Sequence, residues 1–403
     1  MPSAHVPTAN INALYQNTTA GVTANPAVVD AAVADIVSTI NQNADYVNSL
    51  VTSGTLSPIP PDFLYRQAII NGNFDVWQRG TSFPNPSSGQ YTADRFVVIY
   101  QNSGVLPNID HARTISPLGY VPGSTSGYWV HADGEITGQG ADDYYILQQR
   151  IERGTRLLAG NKITVSFWAK STTPGKRIGV YASQNYGTGG TPSSTEVLSG
   201  GVITLSTGWQ RYSVTINTSP ISGKTFGTNN DDHISVSFVY AWGSSFGGPR
   251  FGASSAEGFG GDVHIDIAQV QVNVGDIALP FQPRSFAEEL ALCQRYYEKS
   301  YNIDTPPGTA TDIGCIQGIT EDGTNNGAHY DTVYFKVRKR AVPTVIIYGT
   351  GGTSNTVNDE TADRSIGSGL FAIPSETGFR MNYTLQNATS GRRLFHYVAD
   401  AEL

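Results

Sequence analysis

Cysteine, charge and long apolar runs are all scarce in this sequence, and each shortage excludes a class of protein. Cys293 and Cys315 are the two cysteines in 403 residues. They are too few for a disulfide framework and make no CxxC metal pattern, so both read as free buried thiols of a protein made in a reducing cytoplasm. Charged residues are 14% of the chain, with a formal net charge of -8. Such a surface does not neutralise phosphates, which removes nucleic acid as a partner. The densest basic run, Lys336-Val337-Arg338-Lys339-Arg340, reads as a solvated or edge-protecting feature at a strand end. No stretch approaches the ~20 apolar residues that cross a bilayer, and Met1-Pro2-Ser3-Ala4-His5 lacks a charged region followed by an apolar one. The expectation is a soluble chain with no membrane insertion.

Catalytic patterns are equally thin. Gly243-Ser244-Ser245-Phe246-Gly247 matches G-x-S-x-G, but Gly247-Gly248-Pro249-Arg250-Phe251-Gly252 follows, which reads as a mobile glycine loop rather than the helix a nucleophile elbow needs. The seven histidines include no HExxH or comparable pair. A glycosidase needs two facing carboxyl groups, and Asp142, Asp143, Glu152, Asp231 and Asp232 qualify only by being acidic. Gly187-Thr188-Gly189-Gly190 and Gly349-Thr350-Gly351-Gly352 lack the lysine and helix of a phosphate cradle. The reading is a non-enzymatic protein with no catalytic residues and no cofactor.

What is present in quantity is glycine (44), tyrosine (21) and phenylalanine (16), the composition of turn-rich β structure. Residues 1–24 read as an extended arm. Asn25-Pro26 then opens a helix, along which Val29, Val33, Ile36, Ile40, Asn43, Val47 and Leu50 recur at spacings of four and three. A stripe that short needs a partner, and its β-branched core with a polar layer at Asn43 leans toward more than two strands; the competing reading is a helix docked on its own domain. Ser57-Pro58-Ile59-Pro60-Pro61 closes this first segment, residues 1–61.

From 62 to 284 the pattern is of successive strands: Ala68 to Trp77, Ala93 to Gln101, Gly127 to Ala132, Tyr144 to Glu152, Lys162 to Ala169, Arg177 to Ser183, Val202 to Leu205, Gln210 to Asn217, His233 to Ala241 and Asp262 to Val274. That many strands without helices predict a two-sheet sandwich or jelly roll. Residues 285–403 begin with a short helix capped by Ser285, with Glu288 completing a capping box. A smaller β domain follows, with strands at Val333 to Val337, Thr344 to Tyr348, Gly369 to Ile373, Phe379 to Leu385 and Arg393 to Val398.

The segment Ile70-Asn71-Gly72-Asn73-Phe74-Asp75-Val76-Trp77-Gln78-Arg79-Gly80, followed by Tyr91-Thr92-Ala93-Asp94-Arg95-Phe96, resembles bacteriophage tail-fibre and minor virion proteins. The likeness continues through Leu147-Gln148-Gln149-Arg150-Ile151-Glu152, Ile163 to Lys170, and Leu279-Pro280-Phe281 to Cys293-Gln294-Arg295-Tyr296-Tyr297-Glu298. The resemblance implies a virion fibre: a jelly roll akin to carbohydrate-binding modules, a short helix and a β-rich tip. It also implies a homo-oligomer, usually a trimer, that attaches to other virion proteins through its N-terminal arm and to a host surface glycan. A capsid or head decoration fibre is the alternative, and a polysaccharide depolymerase or enzyme-associated sugar-binding module a second.

Sugar faces stack on aromatic rings while neighbouring polar groups satisfy hydroxyls. Tyr186, Trp242, Phe246 and Phe251 lie in or beside glycine-rich polar loops and are the expected contacts, whereas Trp77, Trp168 and Trp209 lie inside strand patterns and read as core. Jelly rolls of that kind often hold a structural calcium near their first and last strands, where Asp75 and Asp266 stand; two carboxylates leave most of a calcium sphere unfilled.

Overall fold

The computed structural model describes residues 66–103, 108–115, 117–124, 128–136, 140–319, 328–366, 371–384 and 392–403. The predicted stem, with its seam from Val29 to Leu50, lies outside the described residues. Residues Arg66–Leu403 form one compact unit.

Alternating sequence makes the first part of this unit β throughout. Its strands are β1 (Ser82–Phe83), β2 (Phe96–Gln101), β3 (Asn108–Ile115), β4 (Tyr128–Ile136), β5 (Tyr144–Glu152), β6 (Lys162–Ser171), β7 (Arg177–Asn185), β8 (Glu196–Thr204), β9 (Gln210–Asn217), β10 (His233–Trp242) and β11 (Phe259–Val274). They pair antiparallel in two sheets, ordered β1-β3-β4-β11-β6-β9 and β2-β5-β10-β7-β8. This is the two-sheet sandwich that the strand pattern predicts. In β6 the buried apolar set is Ile163, Val165, Phe167 and Ala169, and in β10 it includes Ile234, Val236 and Phe238. The rings of Phe167 and Phe238 meet edge to face at 4.9 Å across the sheets. Burying each contributes about 1.5–3 kcal/mol.

Two readings of the strand pattern change. Ala68 to Trp77 is not a strand but a buried irregular segment, because Asn71 (φ 58) and Phe74 (φ 56) turn the backbone left-handed. The Asn71 side chain replaces a ladder there, donating to Val76 O (2.8 Å) and Asp94 O (3.0 Å) and accepting from Val76 N (3.0 Å). The strand β3 has no apolar signature, since its inward positions include Ile109 and the polar His111, both buried.

Two helices interrupt the sandwich, α1 (Gly154–Leu157) and α2 (Gly247–Phe251). The third, α3 (Phe286–Gln294), starts where Ser285 Oγ accepts the Glu288 backbone N–H, as the sequence predicts. Beyond it lie β12 (Tyr297–Lys299), β13 (Ile316–Ile319), β14 (Ala328–Tyr334), β15 (Thr344–Gly349), β16 (Thr356–Asn358), β17 (Asp363–Ser365), β18 (Phe371–Pro374), β19 (Gly378–Thr384) and β20 (Arg392–Asp400). One sheet runs β12-β20-β16-β17, with β13 and β15 also on β20; another runs β14-β19-β18. Both enclose a core that includes Ile347, Met381, Phe395 and Tyr397. Cys293 is buried and Cys315 only half-buried, and both are free thiols. No helix among the described residues is long and apolar enough to cross a membrane.

The two β portions are locked together by the motifs that carry the family resemblance. Asp94 accepts from Gln78 N (2.9 Å) and Gln78 Nε2 (2.6 Å), and the same Nε2 donates to Tyr297 O (2.8 Å). Arg79 lies 3.6 Å from the Tyr297 ring centre and Arg95 3.4 Å from that of Tyr296. Arg295 holds Glu152 through two nitrogens, at 2.7 and 3.0 Å. Within the basic run Lys336 and Arg338 are exposed, as a solvated edge requires, but Lys339 is buried and ion-paired to Glu298 at 2.7 Å.

Candidate functional site

In β6, alternation that sends Phe167 and Ala169 inward must send Trp168 and Lys170 outward. Register extends this rule to the neighbouring strands. Lys170 pairs with Asp266 on β11, and Asp266 pairs with His131 on β4. Trp168 pairs with Ala268 on β11 and with Arg211 on β9. Polar and aromatic side chains therefore stand in transverse rows on the outer face of the first sheet.

The rows are electrostatically ordered. Asp266 Oδ1 is 2.5 Å from His131 Nδ1, and Asp266 Oδ2 is 3.1 Å from Lys170 Nζ. The hydrogen bond to Asp266 is the largest influence on His131 and holds its imidazole above the ordinary histidine range. Lys170 Nζ also lies 5.4 Å from the Trp209 ring centre and 5.3 Å from that of Tyr120, within cation–π reach.

A loop of residues 117–124 folds over this face. Its Val121 is buried against Ala268, with Trp168 and Trp209 packed around them, while Tyr120 is 49% exposed. On the far side, the chain after β11 runs back across the sheet: Gln271 Nε2 donates to Leu279 O (3.0 Å) and Pro280 O (3.2 Å), and Arg211 donates to Leu279 O. Between loop and strap lies a groove of about 330 Å³ lined by Pro122, Trp168, Arg211, Gln269, Phe281 and Pro283, among others. That volume is at the lower end for small-ligand pockets, and its lining combines apolar rings with a guanidinium and an amide. Gln269 reaches it through a break in the β11–β6 register, at φ 49.

The aromatic residues expected to contact sugar are elsewhere and unavailable. Trp242, Phe246 and Phe251 are buried in a small core on the outer side of the second sheet. Trp242 meets Phe251 at 4.9 Å, Tyr144 meets Phe246 at 4.5 Å, and Trp242 Nε1 donates to Ser255 O at 2.9 Å. Tyr186 is also buried, edge-on to Phe226 at 5.5 Å. Glycine content misled here: the stretch after β10 is not a mobile loop but folds as α2, closed by Gly252 at φ 73, so that its aromatics cap the sheet. Trp77 is core, as expected, whereas Trp168 and Trp209 are only partly buried.

The expected calcium pair is not assembled. Asp75 accepts from Asn73 Nδ2 (3.0 Å), whereas Asp266 binds the nitrogens of His131 and Lys170, not an oxygen cage. Four of the five acidic residues weighed for hydrolysis hold structural partners. Glu152 is held by Arg295 and Tyr296, Asp232 by Arg156, Asp143 by Ser103 and Gly140, and Asp231 by Thr188. Burial would raise the Glu152 carboxyl, but the bonds from Arg295 and Tyr296 outweigh it and hold it below the ordinary range.

No family model matches the chain, and no curated protein matches it. Solved structures similar to it include the N-terminal cellulose-binding domain of a Cellulomonas fimi β-1,4-glucanase, 14% identical, covering 39% of this chain and 84% of that one at a TM-score of 0.24. A family 11 carbohydrate-binding module from Clostridium thermocellum, in complex with a β-1,3-1,4-mixed-linked tetrasaccharide, is 10% identical and covers 48% of this chain and 96% of its own at a TM-score of 0.25. A xylan-binding domain from Paenibacillus barcinonensis is 8% identical, covering 50% and 99% at 0.24. Scores that low carry no weight for fold or ligand; the sandwich assignment rests on the strand pairing itself.

Proposed function

We propose that this chain is a structural fibre protein of a bacteriophage particle and that it binds a host-surface glycan on the outer face of its first sheet, by recognition and without catalysis. The observation that carries the glycan reading is the groove beside Trp168, with Arg211 and Gln269 in its wall, together with the Lys170, Trp209 and Tyr120 group next to it. Flat rings for apolar sugar faces and fixed donors for hydroxyls are what recognition of a saccharide requires. The fibre role is supported by the resemblance of the motifs at the joint. Assembly into a trimer through the seam from Val29 to Leu50 belongs to the same proposal, as does attachment to other virion proteins through residues 1–24. Several weak sites on one appendage would act at high effective concentration.

Bacterial surface polysaccharides arrayed against the full-length protein test the binding. The double variant Trp168→Ala/Trp209→Ala should lose at least about tenfold in affinity, the equivalent of ~1.4 kcal/mol, with unfolding followed in parallel. Wild-type protein that retains no glycan, or a double variant that binds as well as wild type, would overturn the reading. Gold-labelled antibody on purified particles tests the location, and an unlabelled particle would refute it.

A further inference from the structure

At one end of the same face, β4 and β11 bring together a square of four residues. His264 faces Asp133 and Asp266 faces His131 in the register, so histidine and aspartate alternate along and across both strands. His264 Nε2 is 3.0 Å from Asp133 Oδ1. The two imidazoles, on the diagonal, meet edge to face with centres 4.9 Å apart. One ligand atom from each of His131, Asp133 and His264 lies within 4.8 Å of the others. Ligands around a tetrahedral zinc-sized ion stand about 3.3 Å apart, given bonds of roughly 2.0–2.1 Å, so small side-chain adjustments would close the triangle.

We propose that His131, Asp133 and His264 hold a divalent transition-metal ion of the zinc class. Asp266 acts as the positioning residue. It occupies His131 Nδ1 at 2.5 Å, so Nε2 is the nitrogen directed to the metal, and a carboxylate behind a metal-binding imidazole fixes its tautomer and raises its basicity. Lys170, 3.1 Å from the other Asp266 oxygen, keeps that carboxylate in place. The charges agree: a bound metal takes both imidazoles as neutral ligands, and the two carboxylates and one ammonium beside them leave an excess negative charge that a dication relieves. Two imidazoles with one carboxylate select a borderline ion over calcium or magnesium. Three protein ligands leave a coordination position open on a half-exposed surface, available to water or to an oxygen of a ligand. The alternative, a pair of cross-strand His–Asp contacts with no metal role, accounts for the separations but predicts no stoichiometric binding.

The test is independent of any glycan. Untagged full-length protein, stripped with a chelator, is titrated with cobalt(II) and then zinc(II). One ion per chain is expected, with cobalt absorption displaced by zinc and unaffected by calcium. His264→Gln and Asp133→Asn should each weaken binding at least about tenfold, and Asp266→Asn by roughly 10–100-fold, the usual cost of losing such a supporting contact. X-ray absorption on the zinc-loaded wild-type protein should show two imidazoles, and this measurement stands whether or not a variant folds. No stoichiometric binding, a shell without imidazole, or a His264→Gln/Asp133→Asn variant that binds like wild type would overturn the assignment.

Discussion

Replacing Lys339 with methionine should destabilise the protein far more than removing a surface lysine. Lys339 and Glu298 are both 0% exposed. The ammonium donates to Glu298 Oε2 (2.7 Å), Gln294 O (2.6 Å) and Val337 O (2.6 Å). Glu298 accepts in addition from Tyr397 Oη (2.7 Å), Lys336 N (2.9 Å) and Val337 N (3.3 Å). Methionine fills the same space but leaves a buried carboxylate without its counter-charge and two carbonyls without a donor. Breaking one partner of such a pair costs about 3–5 kcal/mol, against ~0–1 kcal/mol for an exposed pair. The residues involved belong to the end of α3, to β12 and to β20, beside the joint with the sandwich, so the loss should appear in the cooperative unfolding of the whole unit. Urea unfolding of wild type, Lys339→Met, Glu298→Gln and the double variant forms a thermodynamic cycle. The double variant removes both charges and keeps an acceptor for Tyr397, so its loss should fall short of the sum of the singles by about 2–3 kcal/mol. If Lys339→Met costs under about 1 kcal/mol, or the singles simply add, the pair is not the internal support that its geometry indicates.

Two other sites give contrasting outcomes. His111 is buried between Tyr145 and Tyr240, ring centres 5.8 and 6.1 Å away, and neither ring nitrogen has a hydrogen-bond partner among the described residues. Burial, with a smaller contribution from His131, pushes its pKa from 6.5 down to about 3. The unfolded chain therefore binds the proton first as pH falls, so this contribution to stability is whole above pH 6.5 and drains away between 6.5 and 3. His111→Phe should flatten that limb and be more stable than wild type at pH 5 by on the order of 2 kcal/mol; parallel stability curves against pH would refute this. At Gly179 an added Cβ would sit 2.6 Å from the Phe251 ring. Gly179→Ala should thus cost about 1–3 kcal/mol through overpacking. Phe251→Leu in the same chain should recover part of the loss in a urea melt, and a neutral single variant would count against the contact.

Much of the sandwich could be read in advance because β6, β9, β10 and β11 carry a period-two signal strong enough to fix their existence, although β6, β10 and β11 run past the expected ends. The irregular segment from Ala68 to Trp77 could not, because its backbone groups are satisfied by the side chain of Asn71, a contact partner that apolar spacing does not encode. Nor could β3, whose inward polar residue is tolerated only because of what surrounds it. Within the basic run Lys339 departs for the opposite reason: it has a partner 41 residues away in sequence, and local charge density says nothing about distant pairing.

The inversion at the candidate site has a more specific cause. Two ideas competed for the aromatic residues: that rings in glycine-rich loops are exposed, and that rings in strands are buried. Neither follows from physics. A glycine-rich stretch can be the place where chains approach most closely, as Gly179 does beneath Phe251, and a strand has two faces. Parity would have resolved the second case, because Ile163, Val165, Phe167 and Ala169 claim the inward side of β6 and leave Trp168 on the other. The same count places Asp266 outward, opposite Ile265 and Ile267, and His264 with it. Once the register of β4 against β11 is known, those outward residues become a set with shared geometry, and the site can be argued as chemistry rather than composition.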